Sequence, residues 1–161
     1  MTDRLSHIDL DPGEAGSPSP QMLQEQQVAV FDLLEENSFA LPDGPPGPYR
    51  LVLGRSGSRV SFDLTVADGV ADGVRAGRFD LSLGPLRQVV KDYGEICAGY
   101  YEAVKTARAS EIEALDDARR AIHREGARAL VEGLAGKAAV DAETARRLFT
   151  LVCVLLSEDR P

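Results

Sequence analysis

Strict alternation of apolar and polar residues in the segment RVSFDLTV, residues 59–66, constrains the fold of this chain more than any other feature. Because successive side chains of a β-strand point to opposite faces of the sheet, this segment predicts a half-buried strand with one solvated face. The glycine-containing turn GRSGS joins it to the apolar run YRLVL, so the two runs predict a β-hairpin. A third half-buried strand at Arg78–Leu83 extends the hairpin to an antiparallel meander.

A first helix is indicated upstream of the hairpin. Ser19 followed by Pro20 is a typical helix start, because the serine side chain can cap the free N–H groups and proline fixes φ at the first helical position. The helix should run through QMLQEQQVAVFDLLEEN. The apolar residues that we expect it to bury are Leu23, Val30, Phe31 and Leu34.

Three further helices are expected downstream of the strands. Apolar residues recur every three or four positions over residues 86–104, which is the period of an amphipathic helix. Ser110 with Glu113 predicts a capping box at the start of the third helix, and Gly126 in its interior indicates close packing of another backbone. Asp141 is expected to cap the fourth helix, whose apolar second half fits a monomer core as well as a dimer interface.

The order of these elements predicts an α+β fold. We expect an antiparallel meander sheet of three or four strands packed against about four helices. The alternating segment SHIDLD, residues 6–11, is expected to add a short edge strand with Ile8 and Leu10 pointing inward, before PGEAGSPSP interrupts regular structure. Residues 1–18 are therefore predicted to form an N-terminal strand and flexible linker, and residues 19–158 a single globular α+β domain.

Composition and charge narrow the class of protein. At 161 residues the chain is long enough for one domain, and its net charge of −8 disfavours nucleic-acid binding, in which phosphate contacts supply most of the affinity. No apolar run reaches the roughly 20 residues of a membrane span, and the N-terminus lacks the apolar region of a signal peptide. We therefore expect a cytoplasmic protein with no nucleic-acid or membrane partner. Cys97 and Cys153 lie in apolar helical patterns without metal-ligand spacing, so we expect buried reduced thiols, no metal site and no cofactor.

The segment DDARRAIHREGARAL, residues 116–130, contains the candidate functional residues. At 100° per residue, Asp116, Arg119 and His123 fall on one ridge of a helix. Arg120 lies beside this ridge, and Arg124 is expected on the opposite, solvated side. A guanidinium group matches the geometry of phosphate and carboxylate, and a histidine near its ordinary pKa offers acid–base chemistry. The ridge is therefore a candidate anion-binding site, whereas the catalytic residues of any reaction remain unknown.

The same ridge also has a purely structural interpretation. A buried arginine needs an ionic partner, so Arg119 would pair with Asp116 and with a strand carboxylate, Asp63 or Asp80. His123 would then donate a hydrogen bond to a backbone carbonyl at the edge of the core. The sequence leaves both interpretations open, since charged residues on a helix usually lie at the surface.

Arg146 and Arg147 form a secondary candidate. They fall in the first turn of the predicted last helix, where positive charge opposes the helix dipole by a few tenths of a kcal/mol. That cost indicates that both side chains have a negative partner, which would be an acidic surface, a carboxylate or a bound anion.

Several longer segments are distinctive as strings. They are QEQQVAVFDLLEENSFALP, GPPGPYRL, LSLGPLRQVVKDYGEIC, RRAIHREGARAL and DAETARRLFTLVCVL. Together they resemble an uncharacterised protein family of alphaproteobacteria (UPF series, serial number 0262), over about residues 7–156. The resemblance implies a small cytoplasmic bacterial protein, and it assigns no activity, cofactor or catalytic residue.

Two functions fit these observations. The first is a non-enzymatic interaction or regulatory module whose acidic surface and Pro/Gly loops engage another cytoplasmic protein. The second is a small-molecule anion-binding protein or enzyme that uses Arg119, His123 and Asp116. The sequence alone does not decide between them.

Overall fold

The sheet is built on the predicted hairpin. In the computed structural model, which describes residues 3–13, 16–57, 59–81, 83–84 and 86–157, the elements follow in the order β1 (Leu5–Asp11), α1 (Pro20–Glu35), β2 (Phe39–Ala40), β3 (Tyr49–Ser56), β4 (Arg59–Val66), β5 (Arg75–Leu81), α2 (Leu86–Thr106), α3 (Ala109–Leu134), β6 (Ala139–Val140) and α4 (Ala142–Leu156). The predicted hairpin-turn residue Ser58, and residues 1, 2 and 158 at the limits of the predicted segments, lie outside the described residues.

The predicted α+β class is confirmed, but the prediction of a purely antiparallel meander was wrong. Strands β3, β4 and β5 do form an antiparallel meander, with Leu53 opposite Phe62 in the hairpin. Strand β1 is added at the outer side of β3 in parallel, so the four-stranded sheet has the order β1-β3-β4-β5. Alternation of residues identifies a strand but carries no information on its direction, which here follows from the return of the chain through α1.

A second, two-stranded sheet was not predicted. Strand β2 pairs antiparallel with β6, with Phe39 opposite Val140, and each strand has two residues. Segments this short have no readable alternation, because the pattern needs about four residues to be recognised. The pairing ties the end of α1 to the start of α4.

Helix α4 lies at the centre of the helical layer. It packs between α1 and α3 and also contacts β3 and β4, so its segment Leu148–Leu155 is buried within the single chain apart from traces of exposure. The start of α4 agrees with the prediction, since the Asp141 carboxylate accepts a hydrogen bond of 2.8 Å from the N–H of Thr144. No described helix is long and apolar enough to cross a membrane.

Helix α1 starts as predicted but buries a different face. The Ser19 hydroxyl accepts a hydrogen bond from the N–H of Met22, which confirms the cap. The buried residues are Met22, Ala29 and Leu33. Of the predicted residues only Val30 packs against the core, and it is partly buried. The prediction was wrong for Leu23, Phe31 and Leu34, which are 40%, 64% and 38% exposed. Apolar residues lie on more than one side of this helix, and packing against α4 and β1 decides which side is covered.

The start of α3 also differs from the prediction. The helix begins at Ala109 after Arg108, which makes no side-chain capping bond, so the predicted capping box of Ser110 and Glu113 was wrong. Residues 107 and 108 are the short connection between α2 and α3, which pack against each other over much of their length. This packing brings the segment 116–130 against α2, α4 and the N-terminal half of α1.

Candidate anion-binding pocket

The predicted ridge on α3 opens onto a cavity of about 400 Å³, which is continuous with solvent. Its walls come from all four helices. The residues that line it are Glu25, Tyr93, Arg119, Arg120, His123, Arg124, Glu143, Arg146 and Thr150. We call this cavity the arginine pocket.

Arg119 is the most constrained cation of the pocket. Its Nη2 donates a hydrogen bond of 2.7 Å to Asp116, and its Nη1 lies 3.5 Å from Oε1 of Glu25 on α1. The guanidinium carbon lies 4.6 Å from the centre of the Tyr100 ring, a cation–π contact. Burial disfavours the charged guanidinium, but the hydrogen bond to Asp116 and the neighbouring acidic groups, Glu25 among them, together outweigh this effect and raise the pKa of Arg119 above its ordinary value.

The structural interpretation of Arg119 is therefore correct in part. Asp116 is its partner as expected, but the second carboxylate is Glu25, whose Oε1 also accepts a hydrogen bond of 2.8 Å from Tyr101. The strand carboxylates suggested from the sequence lie elsewhere, since Asp63 pairs with Arg75 and Asp80 with Arg59. The buried Nε of Arg119 has no hydrogen-bond partner among the described residues.

Asp116 holds two guanidinium groups at once. Besides Arg119, it accepts hydrogen bonds from Nε and Nη2 of Arg120, one turn further along α3. The hydrogen bonds from Arg120 and then Arg119 lower the pKa of the Asp116 carboxyl below its usual value. The sequence-derived ridge thus exists as a charge network in which one carboxylate orients two arginines.

His123 lies at the inner end of the ridge. Its Nε2 is hydrogen-bonded to Oγ1 of Thr150 on α4, at 2.7 Å, rather than to a backbone carbonyl as predicted. The imidazole lies between aromatic rings, with its centre 5.2 Å from that of Tyr93 and 5.4 Å from that of Phe149. Burial, with smaller effects of Arg146 and Arg119, lowers the pKa of His123 to about 4. The ring is therefore neutral at pH 7 and adds no charge to the pocket.

The two secondary candidates are separated by the structure. Arg146 lines the pocket and donates a hydrogen bond of 3.0 Å to Glu143. Arg147 turns away toward α1, where its Nε lies 4.0 Å from Asp32, and its Nη2 is 3.6 Å from Glu143. Both arginines have the negative partner that the sequence indicated, although they are the fifth and sixth residues of α4 and so follow its first turn.

Arg124 is exposed as the sequence predicted, but its side chain lines the pocket instead of projecting from the opposite side of the helix. It makes no ion pair with any residue that the structure describes. The i, i+4 spacing from Arg120 could have identified it, because such residues are neighbours on a helix surface. Glu25 and Thr150 carried no such signal, since they come from helices distant in the sequence. Four arginines and two glutamates line the pocket, so it is locally positive on a chain of net charge −8.

Metal ions in proteins are held by particular sets of ligand side chains. Within the described residues, no group of three or more His, Cys, Asp and Glu side chains is arranged to hold a metal ion. Arginine side chains donate hydrogen bonds and accept none, so the chemistry that the pocket offers is recognition of negatively charged oxygen atoms.

Comparison with known proteins identifies relatives over nearly the whole chain. The sequence profile described as "Uncharacterised protein family (UPF0262)" matches residues 2–158. The chain is 54% identical to a UPF0262 protein of Jannaschia sp. over 153 residues, which cover 94% of this chain and 96% of that protein. A UPF0262 protein of Paracoccus denitrificans is 52% identical over 159 residues, with 96% of each chain covered. No solved structure gives a significant match. The resemblance noted in the sequence is confirmed, and the chain belongs to the uncharacterised protein family UPF0262.

Proposed function

We propose that this chain is a non-enzymatic binding module that holds a small carboxylate or phosphate ligand in the arginine pocket. The observation that carries the proposal is the convergence of four arginines on one solvent-open cavity of an acidic protein. Like charges brought together in a cavity repel each other, and a bound anion removes that cost.

The arginines have different roles in this proposal. Arg119 and Arg120 are oriented by Asp116, so they form a preorganised wall whose side chains need little further ordering when a ligand binds. Arg124 and Arg146 are the more available cations, because Arg124 has no ionic partner in the described chain and Arg146 shares Glu143 with Arg147. They are the residues that we expect to contact the ligand directly.

Binding fits the pocket better than acid–base catalysis by the ridge. With a pKa of about 4, His123 is a weak base at pH 7 and its protonated form is scarce. Its Nε2 is also engaged by Thr150. For Arg119, His123 and Asp116 to act in catalysis, the hydrogen bond between His123 and Thr150 would have to break. Asp116 would also have to separate from both Arg119 and Arg120.

The experiment is thermal unfolding and calorimetric titration with inorganic phosphate and with citrate as probes of the two anion classes. A ligand at one hundred times its Kd adds about 2.7 kcal/mol to the free energy of unfolding, which for a chain of this length raises Tm by roughly 5 to 10 °C. Losing one charge-assisted hydrogen bond costs about 1.5–3 kcal/mol, so Arg124→Ala and Arg146→Ala should each raise Kd about tenfold or more.

Arg128→Ala is the matched control, because Arg128 is exposed on the same helix and does not line the pocket. It should leave Kd within about twofold of the wild type once both are measured at equal ionic strength. Equal losses of affinity in Arg124→Ala and Arg128→Ala would mean that anion binding depends on the overall charge of the chain, and the proposal would be wrong. Absence of binding by both probes at millimolar concentration would also refute it.

A further inference from the structure

Strand β1 is an edge strand whose outer side is only partly covered. The Asn37 side chain bonds both the N–H and the C=O of Leu5, and the N–H of Phe39 bonds the C=O of Asp3, so the segment that follows α1 covers the first part of the strand. From residue 6 to Asp11, no described backbone pairs with this outer side. Exposed edges of this kind accept a further strand, and native proteins usually protect them.

An exposed apolar surface adjoins this edge. Leu34, Phe31 and Val28 of α1 are 38%, 64% and 53% exposed. A groove of about 470 Å³ separates α1 from β1, and its apolar lining consists of Ile8, Leu10, Val30, Phe31 and Leu34. Phe31 and Leu34 belong to the α1 residues that the sequence pattern predicts to be buried, and in the single chain both remain in contact with solvent.

We propose that the edge of β1 and the outer face of α1 form the interface with a second copy of this chain. We name this surface, made of residues 6–11 with Val28, Phe31 and Leu34, the β1–α1 face. A symmetric dimer brings one patch against itself, so any net charge on the patch is doubled at the interface. Of the eight residues that line the groove, only Asp9 is charged, although the chain as a whole has a net charge of −8. Within the β1–α1 face the acidic residues are Asp9 and Asp11, both on β1, whereas the α1 residues Val28, Phe31 and Leu34 carry no charge, so the apolar part of the face can meet its copy without charge repulsion.

The charges on β1 select one register for the pairing. An antiparallel pair of β1 strands centred on Asp9 would place the two Asp9 carboxylates directly opposite each other, which is destabilising. A pair centred on Ile8 instead places His7 of each copy opposite Asp9 of the other, and residue 6 opposite Leu10. That pairing uses residues 6–10, which lie within the part of the edge that Asn37 leaves uncovered. Main-chain hydrogen bonds then extend the sheet across the two copies.

The oligomeric state tests the proposal. Light scattering coupled to gel filtration should give twice the 17.3 kDa mass of one chain at micromolar concentration. Phe31→Glu places two like charges at the centre of the interface and should raise the dimer Kd at least tenfold without unfolding the chain, since Phe31 is 64% exposed. Val104→Glu is the matched control, because Val104 is 51% exposed on α2, outside the β1–α1 face, and this variant should stay dimeric.

A wild-type chain that remains at 17.3 kDa at several hundred micromolar overturns the proposal. So does a dimer that survives Phe31→Glu or is lost equally in Val104→Glu. Anion binding is measured separately in each variant, and Phe31→Glu should leave it unchanged because Phe31 does not line the arginine pocket. The dimer proposal and the proposed function can therefore fail independently.

Disulfide cross-linking tests the register. Residues directly opposite in an antiparallel pair lie about 4.5–5.5 Å apart, which a disulfide can span. A mixture of His7→Cys and Asp9→Cys chains should form a covalent heterodimer on mild oxidation, whereas neither variant alone should do so. The native Cys97 and Cys153 are buried and do not compete. Efficient cross-linking of either variant with itself, or none in the mixture, overturns the register centred on Ile8.

Discussion

The close packing of α3 against α4 predicts that Gly126→Ala destabilises the chain. A Cβ added at Gly126 would lie less than 3.0 Å from three carbons of the Phe149 ring, so Gly126→Ala requires the ring or the helix to move. Phe149 is fully buried and is held edge-on by Tyr93 and His123, with ring centres 5.7 Å and 5.4 Å away. The ring therefore has little room to retreat.

The magnitude follows from two opposed effects. Replacing glycine by alanine in a helix interior gains about 1 kcal/mol, while overpacking a core by one methyl group costs about 1–3 kcal/mol. Because three ring atoms overlap the new methyl group, we take the upper end of that cost and expect Gly126→Ala to lose about 2 kcal/mol. Tm should fall by roughly 4 to 8 °C.

The assay is urea unfolding followed by circular dichroism, with Gly99→Ala as the matched control. Gly99 lies inside α2 and nothing lies within 4 Å of a Cβ built there, so its replacement should stabilise the chain by up to about 1 kcal/mol. Phe149→Leu should cost less in the Gly126→Ala background than in the wild type, with a coupling of about 1 kcal/mol. If Gly126→Ala is as stable as Gly99→Ala, the packing argument is refuted.

Three further outcomes are expected. A lowered pKa of about 4 means that His123 binds a proton less readily in the folded chain than in the unfolded one, so the free energy of unfolding should fall on the order of 1–3 kcal/mol as the pH drops from 6.5 to 4. A pH series of urea melts measures this loss, and most of it should disappear in His123→Gln. Burial raises the pKa of Cys97 to about 11 and also raises that of Cys153, so neither thiol should react with a thiol reagent at pH 8 until guanidinium unfolds the chain. Fast labelling of the native protein would contradict this expectation. Asp141→Ala should cost about 1 kcal/mol in a urea melt, whereas Ser110→Ala should be nearly neutral, because Asp141 caps its helix and Ser110 does not.

Part of the candidate site was readable from helical spacing alone. Asp116, Arg119 and Arg120 interact as their three- and four-residue spacing predicts, because these residues are neighbours on one helix. Glu25 and Thr150 complete the network from helices that lie far away in the sequence, and no local pattern could have named them. Arg124 is exposed as predicted, but the side of the helix predicted for it was wrong because the prediction treated α3 as an isolated cylinder, without the edge of α4 beside it.

What the sequence determined by itself is local. Alternation predicted the β3–β4 hairpin, apolar periodicity predicted α2, and Ser19 and Asp141 predicted the starts of α1 and α4, because each depends on interactions between residues close along the chain. Tertiary structure decided the parallel direction of β1, the side of α1 that is buried and the assembly of the arginine pocket. These depend on which elements meet across the core, and the free energy of burying one apolar face rather than another is settled only when its partner is in place.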